Sequence, residues 1–203
     1  MIDVTKEGGV WTVTINRPDK ANSLTKTMLE ELDQIAQDAA GDARVLLLTG
    51  AGKVFSAGAD LDEARAGLAT DDVWERLSGA IAAAPCLTIA ALNGTLAGGA
   101  FGMALACDLR IAVPEAKFFY PVMKLGFLPQ PSDPARMEAL IGPARTKMIL
   151  MAGQKVSADE AVQWGLIDRV VPADDLMRAA LELAEHARGQ TAQHVARMKA
   201  MMG

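Results

Sequence analysis

LAGGAFGMALACDL, residues 96–109, sets a glycine pair at the head of an apolar run that otherwise reads as a buried helix. Glycine inside a helix costs about 1 kcal/mol against alanine. Gly98, Gly99 and Gly102 nevertheless crowd into this one short stretch. A small-residue turn that opens a helix leaves backbone amides unpaired and lets a ligand approach them closely. A second such turn, Ser56-Ala57-Gly58-Ala59-Asp60-Leu61, follows an earlier strand. Two amides converging from these turns would make an oxyanion hole, which stabilises negative charge growing on a carbonyl oxygen. Two ordinary tight turns are the plainer alternative.

Around this stretch, strands and helices alternate. Val10–Ile15 is alternating and β-branched, reads as a strand, and ends at Asn16-Arg17-Pro18. A helix is expected over 24–40, with Thr27 and Glu30 as a capping box and Gly41 as its stop. Met28, Leu29, Leu32, Ile35, Ala36 and Ala39 share one face of it. Residues 45–48 form a continuous apolar strand suited to a doubly covered position. A helix over 72–82 leads into a strand at Leu87–Leu92, and a further strand is expected over 109–113. This alternation with short connections is an α/β pattern. Later, helices are expected over 134–141, 143–152 and Ala158–Trp164, the last closed by Gly165. A short strand over 167–171 and helices over 174–188 and 190–202 complete the chain. Met198, Met201 and Met202 form an apolar stripe suited to packing or subunit contact.

The 203 residues fit one compact domain, an α/β part over 1–133 and a mainly helical part over 134–203. Half the chain is apolar, enough for a sizeable core. Twenty basic against 25 acidic side chains give a net charge of −5, which argues against a nucleic-acid partner. Cys86 and Cys107 lie in apolar runs and read as buried free thiols in a reducing compartment. His186 and His194 sit in a polar tail, and no metal site is expected. The first residues lack the order of a signal peptide, and no apolar run is long enough to span a membrane, so cytoplasm is the expected location.

Nucleotide motifs fail on inspection. Gly50-Ala51-Gly52-Lys53 follows a strand, but a phosphate-binding loop needs a glycine at Leu47 and a hydroxyl residue at Val54. The dinucleotide fingerprint is absent at both Gly50 and Gly98.

The ordered set of motifs resembles the crotonase superfamily, which includes enoyl-CoA hydratases and isomerases. It begins with Asn16-Arg17-Pro18 and Asn22, then Phe55 through Leu61, Asn93-Gly94, Ala97 through Ala100, and Cys107-Asp108. FFYPVMKLG (118–126), Gly142 through Arg145, Ser157 through Ala161 and Gly165-Leu166-Ile167 continue it over nearly the whole chain. The resemblance implies a ClpP/crotonase-like spiral of repeated ββα units. It makes Ala59 and Gly99 the oxyanion amides for a coenzyme A thioester. It assigns coenzyme A contacts to the segment with Lys20 and Ala21 and to Ala57, Asp60 and Leu61. No tightly bound cofactor is implied, since coenzyme A arrives with the acyl substrate. The implied assembly is a homotrimer or a dimer of trimers, and the implied setting is fatty acid metabolism.

The departures from the family pattern bear on the reaction. Family hydratases carry two glutamates; this chain has Gly102 at one position and, directly after Pro121, Val122 at the other. Neither residue moves a proton. Remaining polar candidates are Tyr120, Gln130 and Asp133. Tyr120 either donates to a substrate or fills the pocket. Gln130 stands where a dehalogenase-like branch has an aspartate, and as an amide it can only orient. For Asp133 the preferred reading is an N-cap, with Pro134 in the first turn of the following helix. Family members usually continue beyond the point where Gly203 falls, so a neighbouring subunit is expected to supply the cover of the acyl group. The expected activity is acyl-CoA thioester processing by a lyase or isomerase, with decarboxylation or thioester hydrolysis open. The alternative is a catalytically silent member that binds acyl-CoA or a partner subunit.

Overall fold

A computed structural model describes residues 1–202 of the chain. Strand β1 (Ile2–Glu7), which the sequence reading had not identified, pairs antiparallel with β2 (Val10–Ile15) across a Gly8-Gly9 turn suited to a two-residue hairpin. Helix α1 (Lys26–Asp42) follows. Its cap is Thr25, whose hydroxyl accepts from the Met28 amide at 3.3 Å, so the expected Thr27–Glu30 capping box does not form. Gly41 lies inside its last turn rather than ending it.

Next come β3 (Val45–Gly50), β4 (Val54–Ser56), α2 (Leu61–Arg65) and α3 (Val73–Ala83). The middle of the chain runs β5 (Leu87–Leu92), β6 (Thr95–Ala97), α4 (Phe101–Ala106), β7 (Leu109–Ala112), β8 (Lys117–Phe119) and α5 (Val122–Leu125). Helix α6 (Asp133–Leu150) merges the two helices expected there, with the break between them surviving as a kink at Gly142-Pro143. Then follow β9 (Val156–Ser157), α7 (Ala158–Trp164), β10 (Arg169–Val170), α8 (Leu176–Arg188) and α9 (Ala192–Lys199). Helix α9 is shorter than the expected 190–202. Met198, Met201 and Met202 remain exposed rather than packed within the chain.

Among the described residues the strands form two sheets, in the orders β1-β2-β3-β5-β7-β10 and β4-β6-β8-β9. The pairs β3/β4, β5/β6 and β7/β8 each give one strand to the large sheet and the next to the small one, with a helix before the following pair. This is a repeated ββα winding, and the fold is α/β. The strands β2, β3, β5, β7 and β10 run parallel, and β3 is buried along nearly its whole length, as an apolar central strand requires. Helix α3 packs between α1 and α4, while α8 lies across β3, β5 and β7. Cys86 and Cys107 are buried free thiols, and burial pushes the Cys107 thiol up to about 12. No helix among the described residues is long and apolar enough to cross a membrane.

The corners between the sheets leave little room. Asn93 accepts from the Gly50 amide at 2.9 Å and donates to the Gly52 and Val54 carbonyls at 2.9 and 3.2 Å. Asn22, buried with φ +53°, donates to the Ala51 and Val54 carbonyls at 2.9 and 2.6 Å. A side chain on Gly94 would start 1.9 Å from the Lys53 carbonyl oxygen. Gly94→Ala is therefore expected to destabilise the protein by about 3 kcal/mol or more, the upper range for overpacking. Gly79→Ala, in a helical position with nothing within 4 Å, should be neutral or stabilise by up to about 1 kcal/mol. Urea unfolding midpoints compare the two directly.

Candidate active site

Strand β4 delivers Ala57-Gly58-Ala59 to the edge of a cavity. The Ser56 hydroxyl donates to the Asn22 carbonyl at 2.8 Å, and the Ala57 amide donates to Ala21 at 3.0 Å. Leu24 then clips the turn from both sides: its amide donates to the Gly58 carbonyl and its carbonyl accepts from the Asp60 amide, each at 2.8 Å. In this parallel bridge Ala59 lies between the two bonded groups, with its own amide turned away from Leu24. Gly58 has φ +90°, and a Cβ there would meet the Ala97 carbonyl oxygen at 2.9 Å and the Gly99 nitrogen at 3.5 Å. Only glycine serves at that position.

Strand β6 brings the second turn. Gly98, at φ +57°, reverses the chain into a single 3-10 turn, Gly98–Ala100, that runs on into α4. The Gly99 amide lies in the first turn, where helical geometry supplies no acceptor. Trp74 lies against Gly99, its ring 3.2 Å from where a Cβ would stand, and its indole nitrogen donates to Leu68 at 2.8 Å. The cavity holds about 200 Å³ and is bordered by Ala57, Ala59, Gly98, Gly99, Trp74 and Tyr120. Val122 and Gln130 line it as well. Leu61, Leu125, Phe127 and Leu128 edge the same cavity, and Leu61 and Leu128 are 72% and 85% exposed.

On the far wall the Tyr120 hydroxyl donates to Asp133 Oδ2 at 2.9 Å and accepts from the Gln130 amide at 3.4 Å. The Tyr120 ring stacks on Phe101, with centroids 5.5 Å apart. Asp133 is fully buried, and its Oδ1 has no hydrogen-bond partner. The expectation that Asp133 caps α6 is corrected here. Ser132 holds the cap position without a capping bond from its own side chain, and Asp133 in the first helical turn points its carboxyl inward to Tyr120. Glu75 explains the displacement: it accepts from the Ser132 amide at 3.2 Å and from the Ser132 hydroxyl, tying the helix start to α3. Burial above all pushes the Asp133 carboxyl up to about 7, with nearby Glu75 adding to the rise; the Tyr120 hydrogen bond and Arg136 pull the other way. Burial, then the Asp133 charge, raises the Tyr120 phenol well above its ordinary value.

The structure thus gathers Ala57, Ala59, Leu61, Gly99, Tyr120, Val122 and Gln130 around one cavity, with Asp133 behind Tyr120 and against Gly102. Lys20 and Ala21 stand apart from its lining, Lys20 exposed at the end of the 3-10 turn Pro18–Lys20. Asp60 is committed locally: it caps α2 through the Asp62 and Glu63 amides and pairs with Arg17 at 2.8 Å. That Arg17 hydrogen bond holds its carboxyl below the usual carboxylate range. Sequence gives Trp74 no site role and places Arg17 only within the Asn16-Arg17-Pro18 motif, not as the partner of Asp60. Trp74 falls on the same helix face as Leu77 and Ile81 and so carries only a core signal. No cluster of His, Cys, Asp or Glu able to hold a metal ion occurs among the described residues.

The raised Asp133 pKa has a definite sign in stability. Its folded value, about 7, lies above the ordinary 3.8, so the folded state holds this proton more tightly. Its contribution is fully present at low pH and is lost as pH rises from about 4 towards 7, by at most about 1.4 kcal/mol per unit. Asp133→Asn should remove this slope, so the stability gap between variant and parent, measured by urea unfolding between pH 4 and 8, should shift in favour of the variant as pH rises.

Comparison with known proteins gives the family and the fold. The family model for enoyl-CoA hydratase/isomerase matches residues 5–203. A short-chain-enoyl-CoA hydratase from Clostridium acetobutylicum is 38% identical over 191 residues, covering 88% of this chain and 72% of the relative. Among solved structures, enoyl-CoA hydratase from Bacillus anthracis superposes with a TM-score of 0.91 at 34% identity, covering 99% of this chain and 81% of that one. An enoyl-CoA hydratase/isomerase from Pseudoalteromonas atlantica gives a TM-score of 0.91 at 29% identity, covering 99% and 82%.

Proposed function

The chain belongs to the enoyl-CoA hydratase/isomerase family, and from that premise we propose that it processes an acyl-CoA thioester by holding its enolate oxygen between the Ala59 and Gly99 amides. One observation carries this reading. Two glycine turns from different ββα units press together at Gly58 and Gly98 and bring Ala59 and Gly99 to the rim of one apolar cavity. Hydrogen-bond donors fixed before the substrate arrives need no reorganisation when charge develops, and each is worth about 3–4 kcal/mol in a transition state. The exposed apolar rim of Leu61, Leu125, Phe127 and Leu128 suits an acyl chain or its pantetheine arm. Lys20, exposed on the neighbouring turn, is available to phosphate, and Asp60 is held in place at the α2 cap by Arg17.

The positions where the family pattern carries glutamates hold Gly102 and Val122, and Val122 contributes only apolar wall to the cavity. The reaction we favour depends mainly on stabilising an oxyanion, the enolate of a decarboxylation or the tetrahedral intermediate of a thioester hydrolysis, rather than on hydration by a glutamate pair. The same two residues favour a second reading, in which the site binds acyl-CoA and turns nothing over. Calorimetry with a panel of acyl-CoA esters, followed by product analysis, separates the two: binding with turnover supports the first, binding without turnover the second, and no binding refutes both. Gly99→Pro, which deletes one amide, is expected to abolish turnover while the fold, checked by circular dichroism, persists. Unchanged turnover in that variant refutes the role of the Gly99 amide.

A further inference from the structure

We propose that Tyr120 and Asp133 form the proton-transfer group of this cavity, Tyr120 meeting the substrate and Asp133 holding the proton that Tyr120 passes on. The inference rests on the thioester reading of the site and names the acid and base that reading leaves open. Among the side chains lining the cavity only Tyr120 is ionisable. Trp74 has committed its indole donor to Leu68, and Gln130 is an amide whose nitrogen faces the Ala69 carbonyl at 3.4 Å. A phenol alone is a poor acid at neutral pH, so it needs a partner. Asp133 is that partner, at 2.9 Å.

The surroundings of Asp133 are built for a carboxyl that changes charge. It is fully buried, and one of its oxygens is left without a donor, an arrangement that favours the neutral acid. The charged groups facing it are Glu75 from α3 and Arg136 on its own helix; Arg136 donates to the Ser78 hydroxyl at 2.9 Å instead of pairing with Asp133. From α4 the facing residue is Gly102, and any Cβ there would come within 3.0 Å of Asp133 Oδ1. The missing side chain therefore makes the room that the carboxyl occupies. Gly102 lies three residues after Gly99, about one helical turn or roughly 5 Å along the axis from the proposed oxyanion amide, and the Asp133 carboxyl packs against it.

The step balances within these groups. In the protonating direction the Tyr120 O–H bond breaks, and its proton goes to the α-carbon of the enolate. The enolate electron pair becomes the new C–H bond as the carbonyl re-forms. Asp133 returns a proton from its own O–H to the Tyr120 oxygen and is left as a carboxylate, the state in which Tyr120 donates to Oδ2. The reverse sequence removes an α-proton.

Hydrogen exchange at the α-carbon of butyryl-CoA in D2O, followed by mass spectrometry, tests the pair without requiring the natural substrate. The parent protein is expected to exchange, and Tyr120→Phe to slow exchange about 100-fold or more while calorimetric affinity for butyryl-CoA stays within a few-fold. Asp133→Asn should slow exchange comparably and erase the titration near neutral pH, and Asp133→Glu should restore part of both, a pattern that a purely structural role does not produce. Undiminished exchange in Tyr120→Phe, or binding by the parent protein without exchange, overturns the proposal. Absence of butyryl-CoA binding by the parent protein instead overturns the thioester reading beneath it.

Discussion

The contact between two glycine turns sets the geometry of everything around the cavity. Gly58 and Gly98 come from different ββα units, and backbone atoms of one turn occupy the space where the other would carry a side chain. The approach is held from outside the cavity. Leu24 brackets Gly58 and Asp60, Ser56 is tied to Asn22, and Asn22 and Asn93 grip the neighbouring corner through its carbonyls. The Ser56 bond is buried and the Asn22 bonds partly so, and they resist loosening because each broken one leaves a polar group without a partner. The rigidity matters chemically, since a donor is useful to a developing oxyanion only where it already stands in place.

A second constraint lies one turn further on. Gly102 has no side chain, and the freed volume is taken by a carboxyl from a distant part of the chain, Asp133. The network that carries it there is continuous: Glu75 on α3 fixes Ser132, Ser132 precedes Asp133, and Tyr120 binds the carboxyl from below the stacked Phe101 ring. A carboxyl sealed in this way is disfavoured in its charged form, which puts its proton equilibrium near neutrality instead of near 4. Fold stability and proton availability are thus coupled through one residue.

The large sheet was legible in the sequence because its central strands are long and apolar and its helices carry clear periodic faces. Val10–Ile15 and Leu87–Leu92 form as read, and the helix over Ala158–Trp164 ends at Gly165 as expected. The small sheet was not legible. Its strands, such as Val54–Ser56 and Lys117–Phe119, are only three residues long, too short for any periodicity to stand out from a loop. Strand Ile2–Glu7 was missed for a related reason: it is an edge strand whose outer half is polar and exposed. Thr25 and Thr27 are equally good capping residues by type, and the choice between them depended on where the chain leaves the Leu24 bridge.

The division for the site follows the range of the interactions. Backbone features that need a particular residue type leave a mark in sequence, so the two glycine turns stand out by their spacing, while the roles of Ala59 and Gly99 came only with the family resemblance. Gly102 and Val122 could be recognised as departures from the family pattern by the same route. Tyr120 and Asp133 could be nominated only singly, and Asp133 was read as a helix cap because local rules favour that role beside Pro134. Their pairing, the open oxygen on Asp133 and the space above Gly102 came from packing between α3, α4 and α6. Sequence determined which backbone could approach a ligand, because sterics at glycine are local. Tertiary structure decided which carboxyl would stand beside it, because burial and hydrogen bonding to a distant residue are not.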